Sequence, residues 1–219
     1  MDARLRGTAL KVIHDLKRIP DYAGLELAII GGLARMHYAP KARVTPDVDF
    51  IVVTDELITA SNIKRALLDL PGSDFRQPAD VFQREYVTSG GDIEYHQVDF
   101  VASALCPYRP PAVRMVQDIP RDVIPYISIT DLIVFKISSC GMRADKEKGS
   151  TDADDAEDLL GVTGPLTLTP EQQTAVEKGI EGVIGRHSRR TRSWWRTQLG
   201  LPENDDGEGG EEGEEEGEE

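Results

Sequence analysis

Cysteine is scarce in this chain of 219 residues: Cys106 and Cys140 are its only two, too few for a disulfide framework. The four histidines, His14, His37, His96 and His187, are scattered and make no zinc-binding spacing with them, and no Gly-x-Ser-x-Gly elbow occurs. Zinc chemistry and serine-nucleophile chemistry are thereby disfavoured. No apolar run approaches the roughly 18 to 20 residues that a spanning helix needs. The opening Met1-Asp2-Ala3-Arg4 lacks the apolar core of a secretion signal. These absences lead to the expectation of a soluble protein with no membrane partner, in a reducing setting, cytoplasmic or nuclear.

An excess of basic residues is missing as well. Residues 203–219 hold 11 acidic side chains, 5 glycines and Asn204, so removing those charges from the formal net charge of −14 leaves −3 on residues 1–202. The body is nearly balanced, which speaks against a basic nucleic-acid coat and against a wholly disordered acidic chain. Its length suits one sizeable domain with appendages. The acidic tail is expected to be disordered and to keep the protein soluble. A sharper alternative has it fold back on the nearby arginines as an electrostatic mimic of nucleic acid.

Along the chain, Leu5, Ala9, Val12, Ile13 and Leu16 recur at helical spacing and predict an amphipathic helix over residues 3–19, stopped by Pro20. Residues 25–30 form a short apolar run ending at Gly31-Gly32, which reads as a buried strand feeding a tight turn, with one or two helical turns over 33–38. Residues 48–53 alternate and are β-branched, and Thr54 or Asp55 is placed to cap a helix reaching about residue 70. A loop is expected over 71–79, then two strands over 81–88 and 93–101 joined by the hairpin turn Ser89-Gly90-Gly91-Asp92. Pro107, Pro110 and Pro111 mark irregular chain. Residues 127–140 read as a buried helix capped by Ser128 or Thr130, and Thr169-Pro170-Glu171 opens another.

The chemistry lies in the first half. Gly31-Gly32 follows a hydrophobic strand and, after fourteen intervening residues, comes Asp47-Val48-Asp49. Residues two apart in a strand project from one face, so Asp47 and Asp49 present their carboxylates together while Val48 and Phe50 pack behind. Two like charges held that close call for a cation, and hard oxygen ligands suit Mg²⁺ or Mn²⁺. Asp99 is a third acid flanked by apolar residues, Val98 and Phe100, in a predicted strand. If that strand lies beside the first, three acids converge and can hold two metals roughly 3.5 to 4 Å apart, an arrangement suited to phosphoryl or nucleotidyl transfer. The glycine turn would let backbone N–H groups approach phosphates. Since it is not Gly-x-Gly-x-x-Gly, a dinucleotide fold is disfavoured.

Ile30-Gly31-Gly32, Asp47-Val48-Asp49-Phe50 and Val98-Asp99-Phe100, in that order, resemble the signature of the DNA polymerase β-like nucleotidyltransferase superfamily. Residues 131–136, then Arg143, Lys148 and Asp155-x-x-Asp158-Leu-Leu, look like the helical region of small stand-alone members, including abortive-infection-type toxin enzymes. The resemblance covers about residues 25–160. Many members have serine where this chain has Gly32.

The resemblance implies an α/β (α+β) fold with a mixed sheet and flanking helices, then a mainly helical C-terminal part and the acidic tail. Residues 1–160 would be the nucleotidyltransferase-like domain, 161–202 a helical extension and 203–219 the tail. It implies that Gly31 and Gly32 hold a nucleoside triphosphate, that Asp47, Asp49 and Asp99 bind Mg²⁺ or Mn²⁺ and carry catalysis, and that Lys136 binds phosphate. Arg43, Arg143 and Lys148 would add positive charge. The implied reaction moves a nucleoside monophosphate to a hydroxyl on an RNA end, a protein or a small molecule, with release of pyrophosphate.

The competing expectation is a catalytically silent module of the same fold that binds RNA or a protein. Its candidate surface is Arg186, Arg189, Arg190, Arg192 and Arg196 interleaved with Trp194 and Trp195, which could grip RNA by phosphate contacts and stacking. The other reading, preferred here, packs the tryptophans on the core and leaves the arginines solvated. His37 and His96 are expected to be structural or exposed.

Overall fold

The structure, a computed structural model, describes residues 3–40, 43–53, 58–186 and 189–202. The expected cap at Thr54 or Asp55, His187 and the acidic tail lie outside them. The first helix, α1 (Ala3–Lys17), buries the stripe Leu5, Ala9, Val12, Ile13 and Leu16 that its spacing foretold. Strand β1 (Glu26–Ile30) passes directly into α2 (Gly31–Tyr38), because Gly31 at φ +65° turns the corner in one residue. After β2 (Asp47–Val53) comes α3 (Ala60–Leu68). It begins at Thr59, later than expected, since the Thr59 hydroxyl accepts from the Asn62 N–H at 3.2 Å and the Asn62 side chain accepts from the Thr59 N–H at 3.1 Å.

The expected loop over 71–79 contains a two-residue edge strand, β3 (Phe75–Arg76), anchored by stacking of Phe75 on Phe82 with ring centroids 5.3 Å apart. Strands β4 (Gln83–Val87) and β5 (Ile93–Ala102) form the foreseen hairpin, in which Gly91 at φ +87° donates its N–H to the Thr88 carbonyl at 3.0 Å. A second short strand, β6 (Arg114–Met115), lies in the proline-rich stretch and pairs with β1. Four helices follow: α4 (Ile129–Met142) capped by Ser128, α5 (Lys146–Thr163) capped by Asp145, α6 (Pro170–Arg186), and α7 (Arg192–Gln198) capped by Thr191. The expected division at residue 160 falls inside α5. None of the helices among the described residues is long and apolar enough to cross a membrane.

The six strands form one mixed sheet in the order β3-β4-β5-β2-β1-β6. All neighbours are antiparallel except β2 and β5, which run parallel at its centre. One face carries Val48, Phe50, Val98 and Phe100 into the core, with Phe50 and Phe100 stacked at 5.4 Å. That face is roofed by α1 and α3, and the Thr8 hydroxyl meets His96 Nδ1 at 2.8 Å. On the other face α2 packs over β1 and β2, backed by α4 and α5, and α6 lies against α4.

The α4–α6 crossing depends on absent side chains. A Cβ on Gly179 would overlap the Ile137 carbonyl and lie 2.8 Å from Ser138 Cα, and one on Gly141 would lie 2.7 Å from Gly179 Cα. Glycine normally weakens a helix by up to about 1 kcal/mol relative to alanine. Here Gly179→Ala should nevertheless destabilise the protein, by about 1–3 kcal/mol net, because overpacking a backbone contact outweighs the propensity gain. A urea midpoint equal to or above that of the native protein would contradict the packing described.

Candidate active site

The site starts at the β1–α2 corner. Positive φ at Gly31 does more than turn the chain, since a Cβ there would run into the Asp49 carboxylate. A Cβ on Gly32 would collide with Thr45 in the same way, and the Gly32 N–H donates to Asp49. The Thr45 hydroxyl donates to Asp47. The glycines therefore make room for the acids and their supporting threonine. Any side chain larger than hydrogen, serine included, would not fit at Gly32 without moving Thr45.

Parallel pairing of β2 with β5 sets Asp49 directly opposite Asp99 and Asp47 opposite Gln97. Alternation puts all of them on the face away from Val48, Phe50, Val98 and Phe100, as the sequence spacing required. Burial, then repulsion from Asp47 and Asp99, pushes the Asp49 carboxyl up to about 7, against the opposing pull of Lys136 and the Gly32 amide. Among the described residues no three such groups are already drawn together tightly enough to hold a metal. Asp99 is turned toward Lys64 Nζ at 3.5 Å and accepts from Gln97 Nε2 at 2.7 Å. The sheet register thus brings the trio to one face, while Lys64 and Gln97 engage the Asp99 carboxylate. As a donor set, three carboxylates with surplus negative charge fit a hard divalent ion.

These acids face a cleft of about 590 Å³, and every residue that the sequence singled out borders it: Gly31, Gly32, Arg43, Asp47, Asp49, Asp99, Lys136, Arg143 and Lys148. The cations among them, however, are held by carboxylates that spacing did not foretell. Lys136 Nζ lies 2.7 Å from Asp152 and 2.8 Å from Asp155. Arg43 grips both oxygens of Asp155 at 3.0 and 2.8 Å, and Arg143 Nε meets Asp152 at 2.5 Å. Burial alone would raise the Asp155 carboxyl, yet Lys136 and Arg43 outweigh it and hold the group below the ordinary carboxylate range. Lys148 is exposed at the rim.

Sequence reasoning missed Arg35, which is buried and reaches Asp155 at 3.3 Å and Asp158 at 2.5 Å from α2. It also missed Lys64 and the pairing role of Asp152. The available signal was in α5, where Asp152 and Asp155 sit within the stripe Ala153, Ala156, Leu159 and Leu160, and acids on a buried stripe demand cations. Cys106 also borders the cleft, but burial pushes its thiol up to about 11, so it stays protonated.

In the arginine and tryptophan cluster Trp195 is fully buried, Arg190 stacks on Trp194 at 4.7 Å, and the arginines find partners within the chain. Arg189 pairs with Asp154, Arg190 with Glu157 and Arg192 with Glu181, each at 2.6 Å. Arg186 donates to the Arg143 carbonyl and Arg196 to that of Pro202, also at 2.6 Å. The tryptophans pack as preferred above, and Arg189, Arg190 and Arg192 are solvent-exposed as expected, each also paired with a carboxylate that the sequence reading did not foresee.

A mixed sheet with paired acids on one central strand, a third acid on its parallel neighbour and a glycine corner beside them defines the nucleotidyltransferase fold, and this chain has it. Among solved structures it is similar to an antigenic nucleotidyltransferase-like protein from Paracoccidioides brasiliensis, with 20% identity, 84% of this chain and 88% of that chain covered, and a TM-score of 0.61. Weaker likenesses are to ANT(2")-Ia in complex with adenylyl-2"-tobramycin (14% identity, 83% and 98% covered, TM-score 0.41) and to the Thermotoga maritima CCA-adding enzyme complexed with tRNA (14%, 86% and 51%, TM-score 0.30). No family model and no curated protein matches the sequence.

The raised Asp49 carboxyl has a consequence for stability. Between about pH 4 and 7 the folded chain keeps a proton that the unfolded chain loses, so this group's contribution to stability falls as pH rises through that window and levels off above it. In buffer without divalent cations, Asp49→Asn should be more stable than the native protein at pH 8, on the order of 2–4 kcal/mol, with the gap closing toward pH 4. Equal urea midpoints at pH 8 would show that Asp49 carries no such strain.

Proposed function

We propose that this protein is a metal-dependent nucleotidyltransferase, moving a nucleoside monophosphate from a nucleoside triphosphate to a hydroxyl acceptor with release of pyrophosphate. The observation that carries the reading is the register of Asp49 opposite Asp99, with Asp47 on the same face at the mouth of the cleft. Mg²⁺ or Mn²⁺ held by these three carboxylates would neutralise charge on the phosphates and favour ionisation of the acceptor hydroxyl.

The chain's own groups have distinct tasks. Asp99, with its carboxylate steadied by Gln97 and facing the open part of the cleft, is the acid placed to take the acceptor's proton. Lys136, Arg43 and Arg143 form a cationic wall opposite the acids, oriented by Asp152 and Asp155. A planar guanidinium can keep one carboxylate while offering its remaining N–H donors to a phosphate, so Arg43 and Arg143 can serve both. Lys148 at the rim adds a point charge where the triphosphate tail would leave the cleft.

Incubation with each α-labelled nucleoside triphosphate, Mg²⁺ or Mn²⁺ and a range of hydroxyl acceptors tests this directly. Asp47→Ala and Asp49→Ala should remain folded by circular dichroism yet lose label transfer by at least about a hundredfold. Transfer that persists in both folded variants would refute the assignment.

A further inference from the structure

The face that carries the acids is roofed only over its β1–β2 half. Toward the β4–β5 hairpin Ile93, Tyr95 and Gln97 are exposed among the described residues, and cross-strand register arranges this face in rows: Arg76, Gln83 and Gln97, then Glu85 and Tyr95, then Val87 and Ile93. Along β5, the odd-numbered residues from Asp99 back to Ile93 share this face, so Tyr95 lies about 13 Å and Ile93 about 20 Å from the catalytic acid at 3.3 Å per residue. Val87, Ile93 and Tyr95 are 59%, 55% and 45% exposed and adjacent on this face, whereas the central strands bury their large apolar side chains. Exposed apolar side chains gathered side by side, rather than scattered singly, suit contact with another macromolecule.

Charge distinguishes the class of that molecule. Arg76 stacks 4.7 Å over the Tyr95 ring, donates to its hydroxyl at 3.1 Å and pairs with Glu85. Lys64 faces Asp99 at 3.5 Å. The strip's cations are matched by carboxylates, and the body as a whole is slightly acidic. A polynucleotide held along 20 Å would present a run of phosphates with no free cations to meet them. An apolar and aromatic strip with an arginine and balanced charge is the composition of a protein-binding surface.

Resting on the transferase reading above, we infer that the acceptor is a protein, docked on the strip from Val87 to Tyr95 so that a serine, threonine or tyrosine hydroxyl reaches Asp99. The hydroxyl oxygen forms a bond to the α-phosphorus, the bond from that phosphorus to the α–β bridging oxygen breaks, and pyrophosphate departs with the electron pair. The hydroxyl proton passes to Asp99 and then to water. No oxidant or reductant is needed.

The test uses the full chain, α-labelled nucleoside triphosphates with Mg²⁺, and two sets of probes. One is a set of dodecapeptides with a central Ser, Thr or Tyr flanked by Val, Ile and Phe, with matched sets flanked by Gly, Ser and Asp. The other is a mixed-sequence single-stranded RNA 20-mer. Label should enter the apolar-flanked peptides at least tenfold faster than the polar-flanked ones or the RNA. Ile93→Asp and Tyr95→Ala should each reduce that labelling about tenfold while Mg²⁺-dependent triphosphate affinity, by calorimetry, stays within twofold. Intact triphosphate binding with RNA labelled in preference, with no peptide labelled, or with peptide labelling indifferent to both substitutions, overturns this inference alone. So does a dimer, seen by sedimentation, that Ile93→Asp dissociates without changing labelling. Absence of Mg²⁺-dependent triphosphate binding overturns the transferase reading as well.

Discussion

Repulsion among three carboxylates at the β2–β5 junction is the constraint around which the rest of this protein is arranged. Asp47, Asp49 and Asp99 are held together by strand pairing that their own charges oppose, and Asp49 shows the strain in a carboxyl that prefers to keep its proton. What enforces the register is the opposite face. Val48, Phe50, Val98 and Phe100 are locked in the core, and a one-residue slip of β2 would drive Asp47 and Asp49 inward and Val48 and Phe50 out. Hydrophobic burial behind the strands thus maintains an electrostatically unfavourable cluster in front of them, the usual relation of a functional site to its scaffold.

Across the cleft the sign is reversed, and the balance is struck differently. Asp152 and Asp155 on α5 are buried carboxylates, but each is met by cations from other elements: Lys136 from α4, Arg43 from the segment before β2, Arg35 from α2 and Arg143 after α4. Ion pairs of this depth add little net stability, because desolvation offsets the attraction, but removing one partner leaves a buried charge exposed to its full cost. Their use is geometric. They hold the cationic side chains in place and tie α2, α4 and α5 together around the cleft.

The geometry of the acid-bearing strands was legible because period-2 alternation and turn chemistry are local. Asp47 and Asp49 flanking Val48, the apolar residues either side of Asp99, the glycine pair and the Ser89-Gly90-Gly91-Asp92 turn each carry their meaning within a few residues. The β2–β5 adjacency entered the sequence reading only as a condition for the three acids to converge, and the structure supplies it. What could not be read were features set by distant partners. Two-residue strands such as β3 and β6 have no periodicity to detect. Lys64 and Arg35 look like ordinary helix charges until the fold brings Asp99 and Asp155 to them. Gly179 looks like a helix weakness until α4 is seen against it. The carboxylates that pair with Arg189, Arg190 and Arg192, namely Asp154, Glu157 and Glu181, were not foreseen because they lie on other helices.

The central claim is that the acid trio is a divalent-cation site. Titrating Mn²⁺ into the full chain while following the free ion by electron paramagnetic resonance measures this without reference to any acceptor or nucleotide. The account expects saturable binding of roughly one or two ions, weakened at least about tenfold in Asp49→Asn and in Asp99→Asn, with both variants folded. Mn²⁺ binding of equal strength in the native protein and both variants would contradict it.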